Sequence, residues 1–314
     1  MRLQVVRRFD PWSSPLCTCP PKYSLQPYTG CSHYCLYCYA TSYIGRRPST
    51  PKKHLIERLR RDLRRLPEGS LIELSTSSDP YPPVEERLRL TRTCLELILG
   101  KGFRVLITTK GSLVARDAEL LSRGSAAVMI TITTMDSGLA SRLEPGAPPP
   151  RDRVEALRRL AEAGVPVGVR LDPILPGLND DEDSIREVLE AVREAGAVTV
   201  TCSTYKARPD NLRRVVDAFP ELAERYRRLY REEGSWIHGY WYLPQRLRRI
   251  ILERARRIAL SLGLGFATCR EGFSYMNTAG SCDGSHLIRA GLPRGLRGRR
   301  LDEWGGWGRG GSQA

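Results

Sequence analysis

No apolar run in this chain approaches the length of a membrane span, and the Met1-Arg2-Leu3-Gln4 start lacks the apolar core of a secretion signal. Both absences set the expectation of a cytoplasmic protein. Lysine is nearly missing: only Lys22, Lys52, Lys53, Lys101, Lys110 and Lys206 stand among 50 lysines and arginines. No internal repeat is visible. The two C-x2–4-C pairs of a zinc finger or ribbon are also absent, because Cys31, Cys35 and Cys38 have no fourth cysteine near them. Nine cysteines without a secretion signal argue for metal or redox duty over a disulfide framework.

What is present fits a soluble α/β protein. A chain of 314 residues can bury a full core, and 41% hydrophobic residues with a mean hydropathy of −0.36 suit a globular fold. The formal charge of +15 and pI near 9.7 fit a polyanionic partner, most simply DNA or RNA. An arginine bias spread over helix faces accounts for the charge equally well, and both readings stay open.

Short apolar runs alternate with amphipathic stretches along the middle of the chain. Strands are expected at residues 23–27, 71–74, 104–109, 127–132, 165–171 and 198–201, with helices near 51–66, 85–100, 115–123, 151–163 and 182–194. The last helix opens on Asn179-Asp180-Asp181-Glu182, acidic residues suited to the positive end of a helix dipole. Such alternation implies right-handed βαβ units and a parallel sheet. The fold class expected is α/β, a partial (βα)6 TIM-type barrel with a helical, basic C-terminal extension. Residues 1–24 form an irregular segment with Cys17 and Cys19, and 25–211 the barrel. Residues 212–290 form the extension, with helices near 212–232 and 244–262 and with Cys269 and Cys282. A Gly/Arg-rich tail, 291–314, reads as disordered apart from Trp304 and Trp307.

The cysteine loop carries the strongest chemical signal. In Gly30-Cys31-Ser32-His33-Tyr34-Cys35-Leu36-Tyr37-Cys38-Tyr39, three thiolates on one short loop can hold three irons of a [4Fe–4S] cluster and leave the fourth open. A zinc site borrowing a further ligand is the weaker reading, and His33 reads as a loop residue. The triplet, with aromatic Tyr37 before its last cysteine, resembles the signature of the radical S-adenosylmethionine (SAM) superfamily. Further segments follow in order: Ser75-Thr76-Ser77-Ser78-Asp79-Pro80-Tyr81-Pro82, Thr108-Thr109-Lys110-Gly111, Thr131-Ile132-Thr133-Thr134-Met135-Asp136, Arg142-Leu143-Glu144-Pro145-Gly146 and Asp172-Pro173-Ile174-Leu175-Pro176-Gly177-Leu178-Asn179-Asp180. Together they resemble the branch related to spore photoproduct lyase, the DNA repair photolyase-like proteins, over roughly residues 17 to 285.

That resemblance implies an enzyme, lyase-like or modifying, in which the cluster cleaves SAM to a 5′-deoxyadenosyl radical. It implies a one-electron reductant such as ferredoxin or flavodoxin, and a DNA or RNA substrate, with a peptide or small molecule as runner-up. It places Tyr37, Ser77, Ser78, Asp79, Lys110, Thr131, Thr133 and Arg142 around SAM. Lys110 would meet the SAM carboxylate, one of the two threonines would meet the ribose, and Arg170 rivals Arg142. The chain departs from spore photoproduct lyases at Thr76, where they carry a hydrogen-donating cysteine; a threonine O–H bond is too strong for that task. Cys202 at a strand end and Tyr81 are the candidate donors, with Tyr39 and Tyr43 as further radical relays, while Cys94 reads as a buried small hydrophobe.

Four cysteines remain. Brought together, Cys17, Cys19, Cys269 and Cys282 would suit tetrahedral zinc or a second iron–sulfur cluster, stapling the chain ends across the barrel. An alternative from another class is a non-catalytic, cysteine-rich zinc and nucleic-acid-binding protein. In the basic C-terminal region, Tyr226, Tyr230, Trp236, Tyr240, Trp241 and Tyr242 can stack on bases, though aromatics at helical spacing are more often core.

Overall fold

Strands apolar on both faces have to be covered on both, and this chain covers them with helices outside and a filled barrel interior within. The computed structural model describes residues 3–9, 14–74 and 76–288. In chain order the strands are β1 (Val6–Arg8), β2 (Tyr23–Leu25), β3 (Tyr28–Thr29), β4 (Thr50–Pro51), β5 (Leu71–Leu74) and β6 (Arg104–Thr109). They continue as β7 (Ala126–Thr131), β8 (Val167–Ile174), β9 (Thr199–Thr204), β10 (Ser235–Ile237), β11 (Tyr240–Tyr242) and β12 (Gly265–Thr268). The main sheet runs β1-β2-β5-β6-β7-β8-β9-β12, parallel throughout except for β1. This is the partial TIM-type barrel expected from the alternation. Among the described residues β1 and β12 are unpaired with each other, so the sheet stays open along one seam.

The pleat sorts the side chains. Ile72, Leu74, Val105, Ile107, Val128, Ile130, Val169 and Val200 face outward into the main core, under helices such as Pro150–Glu162 and Glu182–Glu194. Leu71, Leu106, Ala127 and Met129 face inward and form a small apolar layer with Ile288. Further along the same inward rows stand Glu73, Thr108, Thr131, Arg170 and Asp172, all lining a cavity. The barrel therefore changes from apolar to ionic toward the carboxyl ends of its strands. Gly284 makes the C-terminal insertion possible: its φ is +90°, and a Cβ there would stand 2.4 Å from the Met129 sulfur.

The expected helix after Asn179 is capped as its acidic start suggests, with Asp181 accepting from the Ser184 N–H at 2.8 Å. Both helical stretches expected in the extension are present, the first with one break. Pro209–Ala218 stops ahead of Pro220, which cannot continue the ladder; helical turns resume over 220–232, and the β10–β11 hairpin follows before Gln245–Ser261. The extension also supplies β12, a seventh parallel strand. Its Gly-Phe-Ala-Thr sequence is too short to show a period. The tail with Trp304 and Trp307 lies outside the described residues. No helix among them is long and apolar enough to cross a membrane.

The amino-terminal edge is pinned by one carboxylate. Buried Asp62 accepts from the backbone N–H groups of Gln4, Val5 and Val6 at 2.8–2.9 Å. Hydrogen bonds to a charged acceptor contribute about 1.5–3 kcal/mol each, less where they compete. Asp62→Ala should lower unfolding stability by roughly 2 kcal/mol in urea melts and speed amide exchange at Val5 and Val6.

Candidate functional site

The antiparallel β3–β4 pair brackets the cysteine loop and sets it over the carboxyl ends of the strands. Its shape is fixed by backbone bonding. Cys31 N–H donates to Arg47 C=O at 2.9 Å, Leu36 N–H to Leu143 C=O at 2.8 Å, and Gly146 N–H to His33 C=O at 3.0 Å. Ser32 and Ser49 exchange hydroxyl–backbone bonds at 3.0 and 2.9 Å. Arg214 donates to the carbonyls of Leu36 and Cys38, both at 3.0 Å, and Asn211 to that of Tyr37 at 3.0 Å. Two glycines are required by crowding. At Gly30 a Cβ would meet Pro48 O at 2.3 Å, and at Gly146 one would meet Ser32 O at 2.0 Å.

This loop forms one wall of a cavity of about 450 Å³, into which Cys31, Cys35 and Cys38 all project. Burial pushes the Cys31 thiol up to about 11 and moves Cys35 well above its ordinary range, with Lys110 pulling Cys35 back. Thiolates here are costly unless a cation joins them, which suits a metal group. Lys110 stands on the same wall, its Nζ 5.4 Å from the Tyr37 ring centre. Burial opposes its charge, yet Cys35 and Glu144 outweigh burial and keep its pKa above the usual lysine value. Among the described residues no three His, Cys, Asp or Glu side chains surround a common point as ligands of a single ion do. The thiolates of a cluster bind separate irons and need no such point.

Two buried carboxylates fasten the loop to the barrel. Asp79 takes the Thr109 hydroxyl at 2.6 Å and Tyr81 N–H at 2.9 Å on Oδ1. Its Oδ2 takes Lys110 N–H at 2.8 Å and stands 3.3 Å from His33 Nδ1. Glu144 receives the Tyr37 hydroxyl, the Thr133 hydroxyl at 3.0 Å and the Arg153 guanidinium at 2.5 Å. On the far wall Glu271 pairs with Lys206 at 2.7 Å and Arg248 at 3.1 Å. Arg270 lies between the rings of Tyr39 and Tyr240, 5.1 and 5.2 Å from their centres.

The expected site residues divide. Tyr37, Ser77, Asp79, Lys110 and Thr131 line the cavity. Ser78 is buried beside it, its N–H 3.3 Å from Gln26 Oε1. Thr133 lies past the end of β7 and turns its hydroxyl to Glu144. Arg142 is a correction: it stacks on Phe219 at 4.0 Å, donates to Ala218 C=O at 2.6 Å and faces a different depression. Arg170 takes its place in the cavity, bound to Asp172 at 2.5 Å. Neither candidate donor reaches the cavity. Cys202 shares the outward face of β9 with Val200, and Tyr81 gives its hydroxyl to Asp117 at 3.0 Å. Tyr39, Tyr43 and Thr76 do line it.

Cys17, Cys19 and Cys269 line the same cavity, with Cys282 behind them. Tyr226 and Tyr230 pack on Tyr205 in the core, whereas Trp236 is exposed against Trp241. His33 and Glu144 were missed as anchors. The available signal was their place inside the quoted motifs, one beside Cys31 and one beside Leu143-Pro145.

The radical SAM superfamily model matches residues 25–189. An uncharacterised protein of Mycobacterium tuberculosis is 30% identical over 254 residues, covering 75% of this chain and 73% of its own. A radical SAM Nα-GlyT isomerase of Pseudomonas phage M6 is 24% identical over 257 residues, covering 78% and 53%. Among solved structures, spore photoproduct lyase complexed with dinucleoside spore photoproduct aligns with TM-score 0.62 at 18% identity, over 85% of this chain and 78% of that one. Streptococcus suis SuiB bound to the precursor peptide SuiA aligns with TM-score 0.54 at 15% identity, over 78% and 48%. At these identities the two structures speak to the fold.

Asp79 gives the site an acid limit. Burial alone would raise its carboxyl, but His33, Thr109 and the Lys110 N–H outweigh burial and hold it at about 2, below the ordinary 3.8. The folded pKa is depressed, so the stabilisation is complete above pH 3.8 and is lost as pH falls through about 2. In urea melts of the metal-free chain, wild type should lose roughly 2 kcal/mol more than Asp79→Asn between neutral pH and about pH 2.

Proposed function

The chain belongs to the radical SAM superfamily, and from that premise we propose that Cys31, Cys35 and Cys38 hold a [4Fe–4S] cluster, that SAM occupies the adjoining cavity, and that the substrate is a nucleic acid. When bound, cluster and SAM supply a hydrogen-abstracting 5′-deoxyadenosyl radical, the electron coming from a reductant such as ferredoxin or flavodoxin. The observation that carries this reading is the convergence of three thiols, Cys35 buried among them, and the Lys110 ammonium on one cavity wall.

The protein's own part is binding and orientation. Lys110 is the charge partner for the SAM carboxylate, and Thr131 and Ser77 offer hydroxyls to the ribose and amino group. Asp79 has both oxygens committed, so it acts as a positioning residue, holding Lys110 and the cysteine loop in register through His33. Tyr37 does the same through Glu144. Thr76 faces the cavity with its hydroxyl accepting from Gln26 Nε2 at 2.6 Å, which supports a reaction without hydrogen return from that position. Tyr39 and Tyr43 are the better-placed relays.

Nucleic acid is favoured over peptide by charge. Arg7, Arg8, Lys206 and Arg270 line the cavity of a chain carrying +15, beside the Tyr39 and Tyr43 rings on which bases can stack. Of the structural neighbours, one holds a dinucleoside and another a precursor peptide. The four further thiols make a second metal group part of the proposal.

Anaerobic reconstitution with iron, sulfide and dithionite should give brown protein that releases 5′-deoxyadenosine from SAM. Cys35→Ala should lose the chromophore and lower nucleoside release by at least ~100-fold; retention of both ends the cluster assignment. Fluorescence anisotropy should show binding of a single-stranded oligonucleotide that weakens by about tenfold or more between ~50 and ~200 mM salt. Binding indifferent to salt would move the substrate to the peptide or small-molecule class.

A further inference from the structure

The barrel's open seam is where the four remaining thiols meet. Cys17 and Cys19 lie between β1, one edge of the sheet, and β2; Cys269 directly follows β12, the other edge, and Cys282 lies on the return loop. Cys19 and Cys282, 263 residues apart, bring their sulfurs to 3.8 Å. Cys17 is in thiol contact with Cys19, and Cys269 with Cys282. The order is therefore Cys17–Cys19–Cys282–Cys269, with the Thr18 hydroxyl 3.6 Å from the Cys282 sulfur.

The spacing argues against two candidates, a [4Fe–4S] cluster and a disulfide. Four thiolates at ~2.3 Å from one tetrahedral ion stand ~3.8 Å from each other, which is the edge of that tetrahedron. The Cys19–Cys282 separation of 3.8 Å equals it. Thiolates on a [4Fe–4S] cluster bind different irons and stand much farther apart, and a disulfide needs its sulfurs at ~2.05 Å. The two outer thiols still have to turn inward, since among the described residues no three donors surround a common point. Two cations stand beside the thiols. The Arg170 guanidinium contacts the Cys269 sulfur, and the buried Lys22 ammonium lies close to Cys19 while paired with Glu73 and Asp283 at 2.7 and 2.6 Å. The Cys282 carbonyl is fixed by the Thr201 hydroxyl at 2.9 Å inside the barrel.

We propose that Cys17, Cys19, Cys269 and Cys282 bind one zinc ion, not a second [4Fe–4S] cluster, and that this ion closes the open seam of the barrel. The site is structural: all four positions are protein thiolates, leaving none for substrate. It narrows the metal group offered above to one ion, and it does not depend on the triplet being a cluster. Its effect on the reaction is indirect, because Arg170 joins its shell to the cavity wall.

The test is metal analysis of the full chain by inductively coupled plasma mass spectrometry. Wild type should carry about one zinc besides about four irons. A Cys31→Ala/Cys35→Ala/Cys38→Ala variant should lose the iron and keep the zinc. Cys19→Ser/Cys282→Ser should lose the zinc and keep the iron. For wild type alone, zinc-edge X-ray absorption should give four sulfurs at ~2.3 Å, a readout that stands if the serine variant fails to fold. More than about four irons without zinc, zinc retained in the double serine variant, or a Cys19–Cys282 disulfide in the anaerobically purified protein each overturns the assignment. Loss of iron binding in wild type with zinc intact overturns the cluster and leaves this site standing.

Discussion

Carboxylates taken out of water have to be answered by cations or N–H donors, and that requirement holds the functional end of this barrel together. Asp79 and Glu144 each gather partners from segments distant in sequence: the first ties the cysteine loop to the ends of β5 and β6, the second ties it to the segments after β7. Removing one partner from such a group costs about 3–5 kcal/mol, because a charge is left buried and unpaired. The three thiols thus gain a fixed position from groups that need never touch a cofactor. Glu271 applies the same rule on the opposite wall, answering Lys206 and Arg248 at once.

Lysine usage follows from this. A chain that otherwise writes its basic positions as arginine places Lys22, Lys110 and Lys206 on the cavity lining. An ammonium is a compact charge that fits between acceptors a planar guanidinium would push apart. Lys22 sits between Glu73 and Asp283, and Lys206 against Glu271. The scarcity of lysine was plain in the sequence; that half of the residues concerned would share one cavity was not.

Much of the barrel was legible because β5 to β9 are apolar runs separated by amphipathic helices, and the period survives in one dimension. β1 and β12 were not, since Val-Arg-Arg and Gly-Phe-Ala-Thr are too short to carry a period and are defined by their neighbours. At the site, the Cys31–Cys38 spacing is local and readable. The alternation rule also held more information than was drawn from it. Counting from Met129, it turns Thr131 inward, and on β8 it turns Arg170 and Asp172 inward; on β9 it puts Cys202 beside Val200 on the outer face. It fails at Thr133 for a physical reason: β7 ends at Thr131, and beyond a strand's end the pleat no longer directs side chains. The anchoring of His33 by Asp79 and the loss of Arg142 to Phe219 are tertiary events with no periodic trace.

The geometry also explains why the family is easier to recognise than the substrate. Residues 25–189, which carry the family match, contain the cysteine triplet, Asp79, Lys110, Thr131 and Glu144. The opposite side of the cavity is made largely from outside that span: Arg7, Arg8 and Phe9 from the first edge strand and its end, Lys206 after β9, and Cys269 and Arg270 after β12. An open seam makes this division possible, because segments before β2 and after β12 can enter the mouth without disturbing the strands beneath the cysteine loop. The residues proposed for the cofactor thus lie in one continuous stretch of sequence, whereas the opposite wall comes from separate segments. The two sides are joined by Arg214 and Asn211 on the loop carbonyls, by Arg270 over Tyr39 and by Lys22 on Glu73, while Arg170 and Asp172 on β8 lie between the cavity and the Cys269 thiol. On the proposed reading, a change of substrate falls on those separate segments, while the cysteine loop and its carboxylate anchors stay as they are.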